Sequence, residues 1–224
     1  SRVLGDVYKR QVYTGTRADH KRALCDEDMK KVFTRLPSSS AIPLAVRRAQ
    51  DMFVLMFLLR GLPFVDLAYL RKSDLRDNVI TYRRRKTGRP LSVTLTPEAL
   101  ELLKKYMNRD SHSPYLFSLL KSGEGTKEAY REYQLALRSF NQQLTLLGEV
   151  LGLNDKLSSY TARHTWATTA YYCEIHPGII SEAMGHSSIK VTETYLKPFR
   201  NKKIDEANNQ IIDFVKHSIA GVVS

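Results

Sequence analysis

The chain has 224 residues, and its hydrophobic fraction of 42% is enough to bury a sizeable core in one large domain or two small ones. Its formal net charge of +12 favours a polyanionic partner, either nucleic acid or an acidic membrane surface. The longest apolar run, Met52 to Leu59, is much shorter than the roughly 20 residues that span a bilayer, so a membrane protein is not expected.

Cysteine and histidine usage argues against a disulfide-rich or metal-dependent protein. Cys25 and Cys173 are too few for a disulfide framework and lack the spacing of zinc ligands. The histidines form no HxxxH or HExxH pair, and the sequence contains no P-loop and no dinucleotide fingerprint. We therefore expect no metal or other cofactor, and a reducing, cytoplasmic compartment.

The first residues differ from the rest of the chain. Residues 1–11 show no pattern that continues into the next segment and are interpreted as an extension foreign to the domain. Residues 12–22 are polar and basic and are interpreted as a linker. A single domain is expected over residues 23–224.

Helical patterns dominate this domain. Asp26 is predicted to cap a short helix that ends near Leu36, and Pro63 suits the first turn of a later helix. Apolar periodicity and cap signals predict further helices over residues 42–59, 63–70, 97–107, 126–151 (as one helix or two), 160–173, 177–184, 189–196 and 202–219.

A basic β-hairpin interrupts the helices. Asp77-Asn78 signals a turn, and residues 79–82 and 91–95 have strand composition. The stretch from Arg71 to Arg89 has eight basic residues and two acidic ones. Its tip can reach a sugar-phosphate backbone, or the strand can serve only for electrostatic attraction. The predicted fold class is therefore mainly α with a small antiparallel β-sheet.

Three residues near the C-terminus can act together on a phosphodiester. Arg163 follows Tyr160 by three positions on a predicted helix, so the two face the same way, whereas His164 is turned by about 100°. His186 lies in a tight link between two predicted helices, and Tyr195 lies on the second of them. A phenol with an ordinary pKa of about 10 becomes a useful nucleophile when cations hold the phosphate.

Each of the three also has a structural interpretation. Arg163 can be a solvated surface arginine, and His186 can be an exposed turn histidine. Tyr195 can complete an apolar stripe with Val191, four residues before it. The order and spacing of all the motifs together, rather than any one residue, favour the catalytic interpretation.

The stretches SSYTARHTWAT, AMGHSSIKVTETYL and RRRKTGRPLSVTL, in this order and spacing, resemble the catalytic domain of the tyrosine recombinases, the phage integrase family. The resemblance covers about Lys21 to Arg200. The stretch FLLRGLPFVDLAYLRKSDL is similar to the branch carried by conjugative transposons. Such integrases carry N-terminal DNA-binding domains, which are absent here, so the chain is expected to be a catalytic-domain fragment that binds DNA weakly.

The resemblance implies a role for each matching residue. Tyr195 matches the nucleophile that forms a 3′-phosphotyrosine bond, and Arg163 matches the second catalytic arginine. His186 matches the later histidine, a donor to the phosphate, and Lys86 matches the hairpin lysine, the general acid. The remaining basic residues of the hairpin are predicted to contact DNA: Arg83, Arg84, Arg85 and Arg89.

Two positions depart from the family pattern. Tyr160 replaces the histidine of the usual H-x-x-R; it can donate a hydrogen bond but cannot act as an imidazole base. The first catalytic arginine normally lies three residues before an acidic residue, and Pro63 occupies that place before Asp66. Arg60 is the candidate replacement, with a phosphate or structural contact as the alternative. Asp66 can orient an arginine, or it can merely cap its helix.

The resemblance predicts a site-specific recombinase or integrase of a mobile element. It would act by two transesterifications, without ATP or metal. It would work as a homotetramer on double-stranded DNA, with accessory DNA-bending proteins as possible further partners. By the same resemblance, the apolar tail residues Ile211, Ile212, Phe214 and Val215 would dock on a neighbouring subunit; packing on their own core is the alternative. Two other functions stay open, a type IB topoisomerase and a non-catalytic DNA-binding module.

Overall fold

The computed structural model describes residues 23–34, 36, 42–194 and 201–220, with side chains over 204–214 in the last range. The predicted extension and linker over residues 1–22 lie outside the described residues, as does Tyr195. None of the described helices is both long enough and apolar enough to cross a membrane.

The structure confirms a mainly helical fold with a small sheet. In chain order, the helices are α1 Asp26–Phe33, α2 Leu44–Leu58, α3 Phe64–Tyr69, α4 Pro97–Tyr106, α5 Lys127–Val150, α6 Thr161–Tyr172, α7 Pro177–Met184, α8 Ile189–Glu193 and α9 Asn201–Ala220. A short 3-10 turn, Lys72–Asp74, follows α3. The strands are β1 Leu75–Arg76, β2 Val79–Arg83 and β3 Pro90–Thr94.

Helix α1 differs from its prediction at both ends. Cys25, not Asp26, is the N-cap, and it makes no side-chain cap hydrogen bond. Asp26 instead begins the helix and, with two further acidic residues in the first turn, complements the positive end of the helix dipole. The helix ends at Phe33 because Thr34 is extended, three residues before Pro37.

Helix α2 lies at the centre of the core, as its apolar faces predicted. It contacts α4, α5 and α6, and seven of its residues are buried. The fully buried members include Phe53, Leu55 and Met56. Residues 127–150 form one continuous helix, which Thr126 caps by accepting a hydrogen bond from the backbone N–H of Ala129. The core therefore fixes the positions of the helix ends that surround the site.

The three strands form an antiparallel sheet in the order β1-β2-β3. Asp77 and Asn78 both have positive φ, as a tight hairpin turn between β1 and β2 requires. Along β2, Ile80 and Tyr82 are buried, and Ile80 pairs with the buried Val93 of β3. This alternation of buried and exposed positions sets the direction of each side chain in the basic segment that follows β2.

Three apolar residues of α9 are not buried in the core of this chain. Ile211, Ile212 and Phe214 are all exposed, and Phe214 is 74% exposed. The alternative in which these three side chains pack on their own core is therefore wrong. The side chain of Val215 lies outside the described residues.

Candidate active site

Arg163 lies in the first turn of α6 and is only 3% exposed. One of its terminal nitrogens donates to the carbonyl of Gly61 at 3.0 Å and the other to the carbonyl of Met184 at 2.9 Å. Gly61 follows the end of α2, and Met184 is the last residue of α7. The Met184 carbonyl therefore belongs to a helix C-terminus, where cations are stabilised, and the Gly61 carbonyl belongs to the loop after α2. The interpretation of Arg163 as a solvated surface arginine is wrong.

The close approach at Gly61 requires glycine. Its φ is +67°, and a Cβ built there would lie 2.9 Å from the Cα of Arg163. No side chain fits at that distance, so the loop after α2 touches the backbone of α6 directly. This contact brings the Gly61 carbonyl within reach of the guanidinium.

The hairpin is docked on the turn between α7 and α8. Three consecutive carbonyls of this turn accept hydrogen bonds from three hairpin side chains. Arg84 donates to Met184 at 2.6 Å, Thr87 to Gly185 at 3.1 Å, and Arg89 to His186 at 2.5 Å. Residues about 100 positions apart in the chain thus form one rigid unit.

Arg84 is buried, although it was predicted to contact DNA together with exposed neighbours. It is 5% exposed, and its Nε lies 2.7 Å from a carboxylate oxygen of Asp66. Its Nη1 shares the Met184 carbonyl with Arg163. Two guanidinium groups therefore meet at one oxygen. The signal was present in the sequence, because Arg84 continues the buried positions Ile80 and Tyr82 with the period of a strand.

Asp66 holds the hairpin from the opposite side. One carboxylate oxygen pairs with Arg84, and the other accepts the backbone N–H of Arg85 at 2.9 Å. Burial raises the pKa of the Asp66 carboxyl, and the hydrogen bond from Arg85 and the charge of Arg84 oppose that rise. Burial likewise raises the pKa of Tyr82, which lies close to the same charges. Of the two predicted roles of Asp66, the structure shows that it orients an arginine.

His186 is buried in the turn after α7, so its interpretation as an exposed turn histidine is wrong. Its Nδ1 lies 2.8 Å from the hydroxyl of Thr192 on α8. Burial lowers the pKa of His186 to about 3, and the charges of Arg163, Arg84 and Lys86 add to the effect. The imidazole is therefore neutral at pH 7. If the Thr192 hydroxyl donates to Nδ1, Nε2 carries the proton and can donate to an anion.

Lys86, Arg60 and Tyr160 occupy different surroundings. Lys86 is exposed near the hairpin tip, close enough for its charge to act on His186. Arg60 has a left-handed backbone with φ of +59°, and its Nη1 donates to the carbonyl of Ser92 on β3 at 3.2 Å. Tyr160 is the N-cap of α6 and is 42% exposed. The centroid of its ring lies 5.0 Å from the centroid of the His164 ring.

The other arginines of the hairpin are exposed. Arg83 is exposed and donates to the carbonyl of Gly88. The guanidinium of Arg85 lies 3.8 Å from the centroid of the Tyr69 ring and pairs with Glu124. Arg89 is exposed as a residue although its guanidinium reaches the His186 carbonyl. These side chains line the surface around the buried pair of arginines.

Within residues 23–34, 36, 42–194 and 201–220, no group of three or more His, Cys, Asp or Glu residues could hold a metal ion. The site is instead built from cations. Arg163, Arg84 and Lys86 surround a neutral His186, and Asp66 is the carboxylate paired with them. Thr194, the residue before Tyr195, is the C-cap of α8, the helix that carries Thr192. Such an arrangement can bind a phosphate group.

The model of the phage integrase family matches residues 23–202. The chain belongs to the phage integrase family. This match covers Arg84, Lys86, Arg163, His186 and Tyr195. The family and the fold predicted from the sequence are therefore confirmed.

Curated relatives are tyrosine recombinases. The chain is 26% identical over 180 residues to the tyrosine recombinase XerA of Pyrococcus furiosus, covering 79% of this chain and 57% of the relative. It is 27% identical over 184 residues to a tyrosine recombinase of Pseudothermotoga lettingae, covering 77% of this chain and 59% of the relative. The chain thus spans a little over half the length of these two relatives.

Solved structures share the fold. The crystal structure of XerA recombinase matches with a TM-score of 0.56 at 21% identity, covering 84% of this chain and 64% of the other. The Tn1549 transposon integrase in complex with transposon right end DNA matches with a TM-score of 0.61 at 14% identity, covering 86% and 66%. At these identities the likeness shows a common fold.

Proposed function

We propose that this chain is the catalytic domain of a site-specific recombinase that cuts and rejoins DNA strands through a 3′-phosphotyrosine intermediate. The observation that carries the proposal is the buried guanidinium of Arg163, held by the carbonyls of Gly61 and Met184 beside a neutral His186. Burying a cation costs free energy unless the cation is hydrogen-bonded or paired with an anion. A scissile phosphate placed there would meet a fixed charge and a neutral hydrogen-bond donor.

Each proposed role follows from chemistry and position. The phenolic oxygen of Tyr195 would attack phosphorus, so that a bond from tyrosine to phosphorus forms and the bond to the 5′-oxygen breaks. The phenol loses its proton to solvent water, and Lys86 gives a proton to the leaving 5′-oxygen. Arg163 and His186 would stabilise charge on the non-bridging oxygens, and Tyr160 stays a predicted member of the site. Arg60 makes a structural contact with the Ser92 carbonyl, which was its alternative role. The reverse reaction, with a 5′-hydroxyl of a partner duplex, completes strand exchange.

Two features support double-stranded DNA as the partner. The exposed Arg83, Arg85 and Arg89 surround the site, and arginines form strong contacts with phosphate. The Tn1549 transposon integrase, which shares the fold, forms complexes with transposon right end DNA and with a circular intermediate DNA. We propose that the full-length protein mobilises a genetic element inside the cytoplasm, with accessory DNA-bending proteins as further candidates.

A homotetramer on DNA is the proposed assembly. Ile211 and Ile212 of α9 are exposed apolar side chains in the single chain. A neighbouring subunit would cover these side chains, because exposed apolar groups of this size favour burial. Measurement of the mass of the protein–DNA complex in solution tests this assembly.

Covalent trapping tests the recombinase function. The chain is incubated with a pool of nicked DNA duplexes whose central base pairs are randomised, so that the short 5′-hydroxyl strand is lost after cleavage and the adduct accumulates. Adducts are isolated under denaturing conditions and sequenced. Wild type is expected to enrich one sequence family, and Tyr195→Phe is expected to give no adduct. An adduct that persists in Tyr195→Phe would contradict the assigned nucleophile.

A second measurement separates the two kinds of phosphotyrosine enzyme. Duplexes with the enriched sequence are placed on two separate molecules and on a supercoiled plasmid. Recombinant joints between the molecules are expected. Relaxation of the plasmid without joints would instead favour a topoisomerase, and specific binding without any adduct would favour a non-catalytic DNA-binding module.

A further inference from the structure

We propose that Arg84 supplies the second guanidinium that holds the scissile phosphate, and that Asp66 is its positioning residue; this inference rests on the proposed function. The position where the family pattern expects this arginine holds Pro63, which is buried as the N-cap of α3 and carries no charge. A cation must therefore enter the site from another part of the chain.

Arg84 is placed where a phosphate clamp with Arg163 requires it. Nη1 of Arg84 and Nη2 of Arg163 lie 2.6 Å and 2.9 Å from the same Met184 carbonyl oxygen. The two planar donor groups thus sit side by side at the end of α7, one turn residue before His186. Arginine forks bind two oxygens of one phosphate, so a pair of them suits a group that carries charge on two non-bridging oxygens.

The contacts that hold Arg84 leave donors for a ligand. Asp66 pairs with Nε, and Met184 accepts from Nη1. The two N–H groups of Nη2 take part in neither contact. Because Asp66 and Met184 fix the orientation of the guanidinium before DNA arrives, little reorganisation is needed when the phosphate binds.

The excess of positive charge in the pocket also favours the binding of an anion. Arg84 and Arg163 are both almost fully buried and share one acceptor, and Asp66 is the carboxylate that pairs with Arg84. The pKa of His186 is low enough that the imidazole adds no charge at pH 7. Two buried cations beside one carboxylate repel each other at short range. A bound phosphate removes that repulsion.

Arg60, the candidate predicted from the sequence, is directed elsewhere. Its Nη1 donates to the carbonyl of Ser92 on β3, and this contact is exposed to solvent. Arg84 is 5% exposed and shares its acceptor with Arg163. Substitution of Arg84 and substitution of Arg60 are therefore expected to give opposite results in the same experiment.

The experiment compares a charged and a neutral scissile phosphate. The duplex enriched by wild type is synthesised with the normal phosphate or with a methylphosphonate, which lacks one negative oxygen, and the rate of adduct formation is measured. With the normal phosphate, Arg84→Ala is expected to react about 100 to 1,000 times more slowly than wild type. With the methylphosphonate, the difference is expected to shrink to less than about tenfold, because the charge that Arg84 stabilises is missing. Asp66→Asn is expected to lose less of the rate of adduct formation on the normal phosphate. Its difference from wild type is likewise expected to shrink on the methylphosphonate.

Arg60→Ala and Arg131→Ala are the matched arginine variants. Arg131 is exposed on α5, so Arg131→Ala reports the general effect of losing one charge. The inference is overturned, and Arg60 holds the phosphate, if the rate difference from wild type shrinks on the methylphosphonate for Arg60→Ala but not for Arg84→Ala. A purely structural role of Arg84 would slow both substrates equally, which also overturns it.

Folding is controlled separately, because Arg84→Ala leaves a buried carboxylate unpaired. The double variant Asp66→Asn, Arg84→Ala removes both charges, and Arg84→Lys keeps one cation without the planar fork. Both variants are expected to fold, as judged by thermal unfolding, and still to lose at least about tenfold in adduct formation on the normal phosphate.

A measurement without DNA keeps the inference independent of the recombinase function. Inorganic phosphate is titrated into the protein while the imidazole resonances of His186 are followed by NMR. Wild type and Arg60→Ala are expected to shift, and Arg84→Lys is expected to need at least about ten times more phosphate. Equal phosphate affinity in Arg84→Lys and wild type would overturn the role of Arg84. Failure of adduct formation by wild type, with phosphate binding intact, would instead count against the proposed function alone.

Discussion

Arg84 and Arg85 are adjacent in the sequence, yet they lie in opposite surroundings. Arg84 is buried against Asp66 and the Met184 carbonyl, whereas Arg85 stacks on Tyr69 at the surface and pairs with Glu124. The inward face of this hairpin is part of the candidate active site, and the outward face is the surface that we propose attracts DNA. A run of basic residues is therefore two functional surfaces, separated by the alternation of a strand.

The two ion pairs differ in their expected energetics for the same reason. The side chains of Arg84 and Asp66 are 6% and 0% exposed, while those of Arg85 and Glu124 are both 35% exposed. Water screens the outer pair and allows either partner to be solvated alone. The inner pair has no such alternative, so loss of one partner leaves a buried charge.

The largest expected effect comes from breaking the inner pair. Asp66→Ala is expected to lower the free energy of unfolding by about 3 kcal/mol, because Arg84 remains buried without its carboxylate. Glu124→Ala, the matched change in the outer pair, is expected to cost less than about 1 kcal/mol. Urea denaturation of both variants measures the difference. Equal costs would show that the two faces of the hairpin are not energetically distinct.

Glycine substitutions compare the same two faces by their packing. Gly185 has a φ of +64°, and a Cβ there would lie 3.0 Å from the side chains of Arg84 and Leu91. Gly88 has a φ of +69°, but nothing lies within 4 Å of its Cβ position. Gly185→Ala is expected to cost about 2 kcal/mol, and Gly88→Ala about 1 kcal/mol from its backbone conformation alone. Thermal unfolding with a measured enthalpy separates the two values.

The low pKa of His186 predicts how stability depends on pH. The folded pKa of about 3 lies below the ordinary unfolded value of about 6.5, so the unfolded chain binds the proton more readily in this window. Stability from this group is present above about pH 6.5 and is lost as the pH falls toward 3, by about 1 kcal/mol per pH unit.

Two histidine variants test whether His186 causes this pH dependence of stability. His186→Gln is expected to flatten the loss of stability between pH 6.5 and pH 4, measured by urea denaturation at each pH. His112 is 95% exposed in its side chain, so His112→Gln is expected to leave the slope as in wild type. If the slope is the same in all three proteins, His186 is not the group that titrates.

The smallest expected effect concerns the outward face. Arg83→Ala is expected to weaken DNA binding by only a few-fold and to reduce the slope of log affinity against log salt concentration by about 1, as for one lost phosphate contact. Fluorescence anisotropy with a duplex at several salt concentrations measures both quantities. An unchanged slope would mean that Arg83 contacts no phosphate.

Most elements of the fold were predictable from local signals. Thr96 and Thr126 accept the hydrogen bonds expected of N-caps, and the Asp77-Asn78 turn joins two strands. Helix ends were less predictable: α1 stops at Phe33, and α8 ends at Glu193. These ends depend on tertiary packing and on short segments with weak propensity, which a single sequence hardly constrains.

The candidate site was predicted unevenly. The sequence pointed to Arg163, His186 and Lys86, and the structure brings them together. Arg84 was grouped with residues for DNA contact, although its place after Ile80 and Tyr82 indicated the inward face. Arg60 was preferred because it is close to Pro63 along the chain. Closeness in sequence is a poor guide where a hairpin from elsewhere docks on the site.

The sequence by itself determined the family, the mainly helical fold with its hairpin, and the residue types that can act on a phosphodiester, because these follow from local patterns and motif spacing. Only the tertiary structure decided which cations meet. Arg84 and Arg163 are 79 positions apart in the chain, yet both donate to the Met184 carbonyl at the end of α7. Long-range packing of the hairpin against a helix end creates that shared acceptor, and no local pattern in the sequence encodes it.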